Sequence, residues 1–271
     1  MQFKSLEEKC TYYRSLADHR LMPNSYVMVM VDGKNFSSLV KEKFEKPFDN
    51  KFVDMMNETM LYMLQNIQGA LFGFCQSDEI TIVLADNENG EPKSSFFEYR
   101  LCKINSICAA LATSKFNNLA MKLKLQGIPN EASSSDVKAM ALDTVENIDL
   151  YQFDCKAWNV PSANDAYAYL LWRQNDCIRN SKQQYAQSFF RHQDLENKNT
   201  DEQIQMVFYH FGEDWNSLTS GLKYGRIAWR KDMEMYSEQY GKFTRKKWFL
   251  QPAVPFEENL KEGIISTLTG K

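Results

Sequence analysis

No stretch of the sequence approaches the roughly 20 consecutive apolar residues of a membrane-crossing helix, so no membrane partner is expected. The opening residues Met1-Gln2-Phe3-Lys4-Ser5-Leu6-Glu7-Glu8-Lys9 lack the apolar core of a secretory leader, and a cytoplasmic location is expected. Six cysteines are scattered with no Cys-x-x-Cys, and His19, His192 and His210 stand alone. Neither structural zinc nor a disulfide framework is therefore expected, and Cys75, Cys102 and Cys108 read as small buried apolar residues. A large charge of one sign is also missing: the net charge is −3 and the pI about 5.8. Any polyanion must be held by local basic patches or bound metal. What is present is 271 residues with 44% hydrophobic and 25% charged content, enough for one sizeable core and an appended subdomain.

The stretch from Tyr26 to Asp86 carries the organisation. Tyr26-Val27-Met28-Val29-Met30-Val31 is a near-continuous apolar run that stops at Asp32-Gly33, as a strand buried on both faces does when its end opens into a site. Phe52, Met55, Met56, Thr59, Met60, Met63, Leu64 and Ile67 fill one face of a helix. Two short apolar runs joined at Ser77-Asp78-Glu79 read as a hairpin. A second helix is expected with Phe97, Leu101, Ile104, Cys108 and Leu111 on its apolar side. Strand, helix, strand, strand, helix is the order of a split βαβ, ferredoxin-like sheet. In it the third strand lies antiparallel beside the first, so Asp32 meets Asp78 and Glu79. Carboxylates gathered at a sheet edge without an adjacent base suit magnesium, which takes one or two of them together with substrate phosphates. The competing reading is a plain turn at Asp32-Gly33 and a solvated hairpin tip.

Five words identify a family. Asp32-Gly33-Lys34-Asn35-Phe36, Phe44-Glu45-Lys46-Pro47-Phe48-Asp49, Gln76-Ser77-Asp78-Glu79, Trp172-Arg173-Gln174-Asn175-Asp176 and Lys223-Tyr224-Gly225-Arg226 stand in the order and spacing of the tRNA(His) guanylyltransferases. The chain resembles that family, which includes the Thg-like 3′-to-5′ RNA polymerases, over roughly residues 5–250. The resemblance implies an α+β polymerase palm, an antiparallel sheet with helices on one face, over residues 1–162. A mostly helical RNA-contacting region (163–250) and a loosely held tail (251–271) follow. It further implies addition of nucleotides to the 5′ end of tRNA by a two-magnesium mechanism, with GTP or ATP as substrates and a homotetrameric assembly. Asp32, the Gly33 carbonyl and Asp78 would hold the metal, with Glu79 as a further catalytic acid. Nucleotide contacts would come from Gly33, Lys34, Asn35, Phe36, Lys46, Asp49, Ser77, Arg100 and Lys103. A palm-fold cyclase or forward polymerase, and a catalytically idle RNA-binding relative, are the alternatives.

RNA contacts are expected further along. Phe153-Asp154-Cys155-Lys156 resembles the family's Phe-Asp-(Gly/Ser)-Arg word, with Lys156 a point charge where a forked guanidinium is usual. Arg173, Asp176, Arg179 and Asn180 fall on one side of a helix expected from Asn164 to Phe190, either as a self-satisfied salt-bridge network or as donors to RNA. The family's His-Ile-Asn-Asn-Leu-Tyr-Asn segment is replaced by Ile178-Arg179-Asn180-Ser181-Lys182-Gln183-Gln184, a departure from strict tRNA(His) recognition toward the repair-type branch. Arg226, Arg230, Lys231, Arg245, Lys246, Lys247 and Trp248 interleave bases with aromatics, which suits an RNA backbone, although scattered Lys on an exposed hairpin would look the same. Residues 130–136 read as a surface loop without chemistry.

Overall fold

A computed structural model of the chain describes residues 3–36, 38, 43–85, 87–88, 91–92, 95–126, 139–140, 142, 150–239, 241–256 and 258–270. The loop expected at 130–136 lies outside the described residues. The apolar run Tyr26–Gly33 forms strand β1, Ala70–Gln76 forms β2, and Glu79–Leu84 forms β3. Strand β4 is Phe153–Val160, and Arg226–Ser237 (β5) and Gly241–Pro252 (β6) make a long hairpin. The six strands form one sheet in the order β4-β1-β3-β2-β5-β6, with every neighbouring pair antiparallel. The first four strands of that order are the ferredoxin-like palm. The hairpin extends it past the β2 edge, so the C-terminal region supplies strands as well as helices.

Helix α1 is Leu6–Ser15. It buries none of its residues, and the chain leaving it turns at Ala17–Asp18 to pair Arg20 with Arg100 in an isolated bridge. Helix α2 is Asn50–Asn66; Asp49 caps it by accepting from the amides of Lys51 (2.7 Å) and Phe52 (3.3 Å). Helix α3 is Leu101–Gln126. Phe97 does not join it: Phe97, Glu98 and Tyr99 all have positive φ, so the backbone breaks before the helical spacing does. Helix α4 is Ala163–Phe189, α5 is Thr200–Phe211 and α6 is Glu258–Thr269.

Strand alternation sorts β1 between two cores. Val27, Val29 and Val31 face α2 and α3, where the methionines and Phe116 pack with Ile80 and Ile82. Met28, with Phe72, Phe74 and Val83, faces α4 and α6 on the other side. Each fully buried large side chain there represents roughly 2–5 kcal/mol against truncation to Ala. A third cluster of Tyr185, Ala186, Leu195, Val207 and Trp215 lies between the end of α4 and α5.

Two expectations are corrected. The tail is not loose: Ile264 and Leu268 of α6 are buried on the second face, and the hydroxyls of Tyr26 and Tyr167 donate to the carbonyls of Leu268 (3.3 Å) and Phe256 (2.8 Å). Cys102 is exposed, its thiol directed at the Ala17 carbonyl, because it lies off the apolar side of α3; Cys75 and Cys108 are buried as expected. Among the described residues no helix is long and apolar enough to cross a membrane.

Candidate active site

The register of β1 decides which side chains meet. Asp32 stands directly opposite Glu79 on β3 and opposite Asp154 on β4. Residues opposite one another share a face, so three acids lie in a row across the sheet on the α4 side. Asp78 joins them from the two-residue turn between β2 and β3, where Ser77 takes a left-handed φ of 43°. Gly33 is the reason Asp78 can come so close: a Cβ there would sit 2.4 Å from the Phe36 ring and 2.9 Å from Asp78 Oδ2.

Crowding shows in the protonation of these acids. Burial, reinforced by the charges of Asp78, Glu79 and Asp154, pushes the Asp32 carboxyl up to about 6, with Arg173 pulling the other way. Burial also raises Asp78, opposed by a hydrogen bond from Ser77. Glu79 is held differently. Arg173 of α4 grips it with both prongs, Nε to Oε1 at 2.8 Å and Nη2 to Oε2 at 2.5 Å. The fork commits Glu79, whereas among the described residues Asp32, Asp78 and Asp154 have no guanidinium within ion-pair distance. Among the described residues no three acid, Cys or His side chains converge on one point.

Other expected residues are placed as follows. Lys34 and Asn35 are exposed after Gly33; the Lys34 amide donates to Gln152 O (2.8 Å), which removes it from any anion cradle, and Asn35 is left-handed with φ 59°. The Phe36 side chain is core, packed on Phe52, Phe116, Tyr151 and Phe153. Lys46 is exposed at this same end, between Phe44 on the first core and Phe48 on the third. Asp49 is occupied by its cap and by the Glu45 amide (3.0 Å), so its oxygens serve the fold. Arg100 and Lys103 are not brought beside the carboxylates. They begin α3 next to the Arg20 segment, and Met22 in turn bonds Asn159, the partner of Val27. That level is roughly 17 Å along β1 from Asp32. A small cavity lined by Ser25, Val27, Gly69, Leu84 and Tyr99 belongs to that far end too, not to the acids.

The helical stripe resolves toward the salt-bridge reading. Asp176 accepts from Arg173 Nη2 (3.1 Å) and Asn180 (3.3 Å), and is paired with Arg179. Only Arg179 of the ion-paired residues is well exposed. Lys156 is exposed on the same face as Asp154. Arg226 is buried, donating to Asn57 Oδ1 (3.0 Å) and contacting Cys75 Sγ (3.0 Å), so it pins β5 to α2 and β2. Gly225 before it has φ 84°, and a Cβ there would meet the Phe74 ring at 2.6 Å. Asp154 is the site residue that the sequence did not single out; its Phe-Asp word marks a strand start, and only the register reveals the partner.

The family model described as tRNAHis guanylyltransferase matches residues 7–161. Among curated relatives, tRNA(His) guanylyltransferase 2 of Arabidopsis thaliana is 26% identical over 247 residues, covering 85% of this chain but only 40% of the relative. Among solved structures, a bacterial tRNA(His) guanylyltransferase-like protein in complex with ATP superposes with a TM-score of 0.79 at 26% identity, covering 97% of this chain and 99% of that one. A GTP complex of such a bacterial protein gives 0.74 at 25% identity, covering 98% and 99%. With more than half of its length matched and its palm, strand order and acid row in place, the chain belongs to the tRNAHis guanylyltransferase family of nucleotidyltransferases.

Proposed function

We propose that this protein adds nucleotides to the 5′ end of tRNA, growing the RNA in the direction opposite to ordinary polymerases. The observation that carries the reading is the meeting of Asp32 with Asp78 at the end of β1, in a chain of this family. The residues fit magnesium: Asp32, Asp78 and the Gly33 carbonyl are hard oxygen donors, and burial, helped by neighbouring acids, raises both carboxyls, a cost that a bound cation would relieve. Magnesium held by these groups would supply Lewis-acid stabilisation of the charge on the reacting phosphate and of the attacking and leaving oxygens.

The chain's own residues then divide the work. Asp32 and Asp78 fix the reacting phosphate through the site they form. Arg173 holds Glu79 aside, so that acid positions the helix rather than the phosphate. Lys46 neutralises a triphosphate, and the amides of Asn35 and Phe36 are left to cradle it, since that of Lys34 is engaged. ATP or GTP, the nucleotides named for the bacterial relatives, first activates the RNA 5′-monophosphate, whose oxygen attacks the α-phosphorus and displaces pyrophosphate. The 3′-hydroxyl of the incoming nucleotide then attacks the RNA 5′ phosphorus, loses its proton and displaces the activating nucleotide as its monophosphate. A homotetramer is proposed from family membership alone.

The tRNA substrate is proposed to be a 5′-truncated tRNA of several kinds rather than intact tRNA(His). Supporting this, three polar residues of Ile178–Gln184 are engaged within the protein: Arg179 and Asn180 bond Asp176, and Lys182 bonds Asp201 (2.5 Å). Phosphate contacts position RNA without reading its sequence, so base choice would fall to pairing against the opposite 3′ strand. The test is incubation of truncated non-histidine tRNAs and intact tRNA(His) with labelled nucleotides and magnesium. Label at the 5′ end of several truncated tRNAs is expected. Growth at the 3′ end would overturn the direction, and a preference for intact tRNA(His) that vanishes when its anticodon is changed would overturn the substrate.

A further inference from the structure

The turn before α3 carries a helix start that the structure leaves unused. Ser95-Phe96-Phe97-Glu98 has the spacing of a capping box. In that motif the Ser side chain accepts from the amide of the third helical residue, and the Glu carboxylate reaches back to the Ser amide. Phe97 also continues the apolar spacing of Leu101, Ile104 and Cys108, so both signals begin the helix at Phe96. Neither is realised. Ser95 makes no capping bond with its side chain, and the Glu98 carboxylate is drawn away to Arg20 Nη1 at 3.3 Å. Phe97, Glu98 and Tyr99 instead follow one another at φ 50°, 52° and 62°. Left-handed residues other than glycine are disfavoured and occur singly, so three in succession need something to hold them.

The segment leaving α1 holds them. The Leu21 amide donates to the Tyr99 carbonyl (2.9 Å) and the Leu101 amide to the His19 carbonyl (2.8 Å), one bond on each side of the Arg20–Arg100 bridge. Packing does little to fix the turn: α1 buries none of its residues, and Ser95, Phe96 and Tyr99 wall a small cavity together with Ile104. Both bonds use groups that a longer helix would claim. Bonded four residues back, the Leu101 amide would donate to Phe97, and the Tyr99 carbonyl would accept from Lys103. The Leu101 amide has one proton, so the two arrangements exclude each other. We propose that residues 17–21 are a strap that holds α3 one turn short, and that its release lets residues 96–100 wind into a right-handed turn capped by Ser95 and Glu98. In the strapped form Arg100 sits outside α3 with ψ 106°, its Nε turned back to the Phe97 carbonyl (3.4 Å). In the long form Arg100 joins the helix one turn before Lys103, and the two bases lie on the same side. The strap thus decides whether they are presented as a pair. The device is independent of the reaction at the acid end.

The experiment is residue-resolved hydrogen exchange of the full chain, under conditions where closing outpaces exchange, read at two amides. Opening into the long form frees the Leu21 amide but passes the Leu101 amide to the Phe97 carbonyl. After correction for intrinsic rates, Leu21 is therefore expected to exchange about tenfold faster than Leu101 or more. Fraying of the strap without rewinding exposes both amides alike, and equal exchange would overturn the proposal. Two variants that truncate no buried side chain sharpen the test. Ser95→Ala removes the cap of the long form and no capping bond of the strapped one, so Leu21 exchange should slow about fivefold. Glu98→Gly accepts left-handed backbone freely and deletes the acid of the capping box, so it should slow Leu21 exchange about tenfold. The Arg20 ion pair that it also removes is exposed on both sides and contributes little. Slowing by Glu98→Gly with none by Ser95→Ala would mean that the turn opens without becoming helix, and this too would overturn the proposal.

Discussion

The two ends of the sheet are electrostatic opposites. At the end of β1, Asp32, Glu79, Asp154 and Asp78 gather with Arg173 as the near cation, and that cation is committed to Glu79. At the far tip, Lys231, Arg245 and Lys247 share a face with no acid. The net charge of −3 is the average of these two fields, and it conceals both. One end concentrates acids and the other bases, so the relevant quantity is the distribution of charge and not its sum.

The comparison is broken most forcefully at the acid end. Asp32→Ala or Asp78→Ala should each lower nucleotide addition at saturating magnesium by roughly a thousandfold or more, about 4 kcal/mol of transition-state stabilisation. Single-turnover rates measure this, and near-normal addition by either variant would exclude these acids as the reacting centre.

The next effect separates the committed acid from the free ones. Arg173 and Glu79 have side chains only 13% and 10% exposed. Arg173→Ala leaves a buried carboxylate alone and should cost about 3 kcal/mol of stability in urea titrations. Combining Arg173→Met with Glu79→Gln should recover most of that loss. If the single variant unfolds at the wild-type midpoint, the fork does not hold α4 to β3.

A smaller effect belongs to Lys46. Its replacement by Ala should slow reaction of 5′-monophosphorylated RNA about tenfold, or about 1.4 kcal/mol, while RNA already bearing a 5′-triphosphate is affected less. Equal losses on both substrates would remove Lys46 from the activation step.

The smallest effect concerns the metal-free protein. The Asp32 carboxyl rises from 3.8 to about 6, so between those values the folded chain keeps a proton that the unfolded chain has released. Stability must then fall as pH rises through that window and level off above it. Asp32→Asn should abolish this contribution and stabilise the metal-free protein at pH 7.5 by about 1 kcal/mol, a figure reduced for the group's partial exposure. Urea midpoints at pH 5 and 7.5, with and without magnesium, would show it; an unchanged pH dependence would mean that burial and the neighbouring acids do not hold the Asp32 carboxyl up.

Much of the palm is legible in the sequence because its signals are local. An apolar run ending at an acid, a helix with seven buried positions on its face and a two-residue turn suffice to order the strands, and the order puts Asp32 beside Glu79. Asp154 is not legible, since an acid between Phe153 and Cys155 gains its meaning from a register that no local pattern fixes. The helical stripe around Arg173 can be located but not interpreted until Glu79 is placed beneath it. The residues of α6 read as a tail although Ile264 and Leu268 are one helical turn apart, because a single turn of apolar spacing means little without a surface to cover. At Phe97 the helical spacing runs past a backbone break that φ, and not side-chain pattern, determines.

Gly33 has a bearing on how this sequence can vary. Any side chain at position 33 would collide with the Phe36 ring and with Asp78, one a member of the aromatic core and the other of the acid site, and neither can retreat alone. A saturating mutational scan should therefore show position 33 as a column of inactive variants, beside an exposed Lys34 where many substitutions survive. Compensation would need Phe36 and Asp78 to change together, so this corner of the protein has no single-step route away from its present sequence.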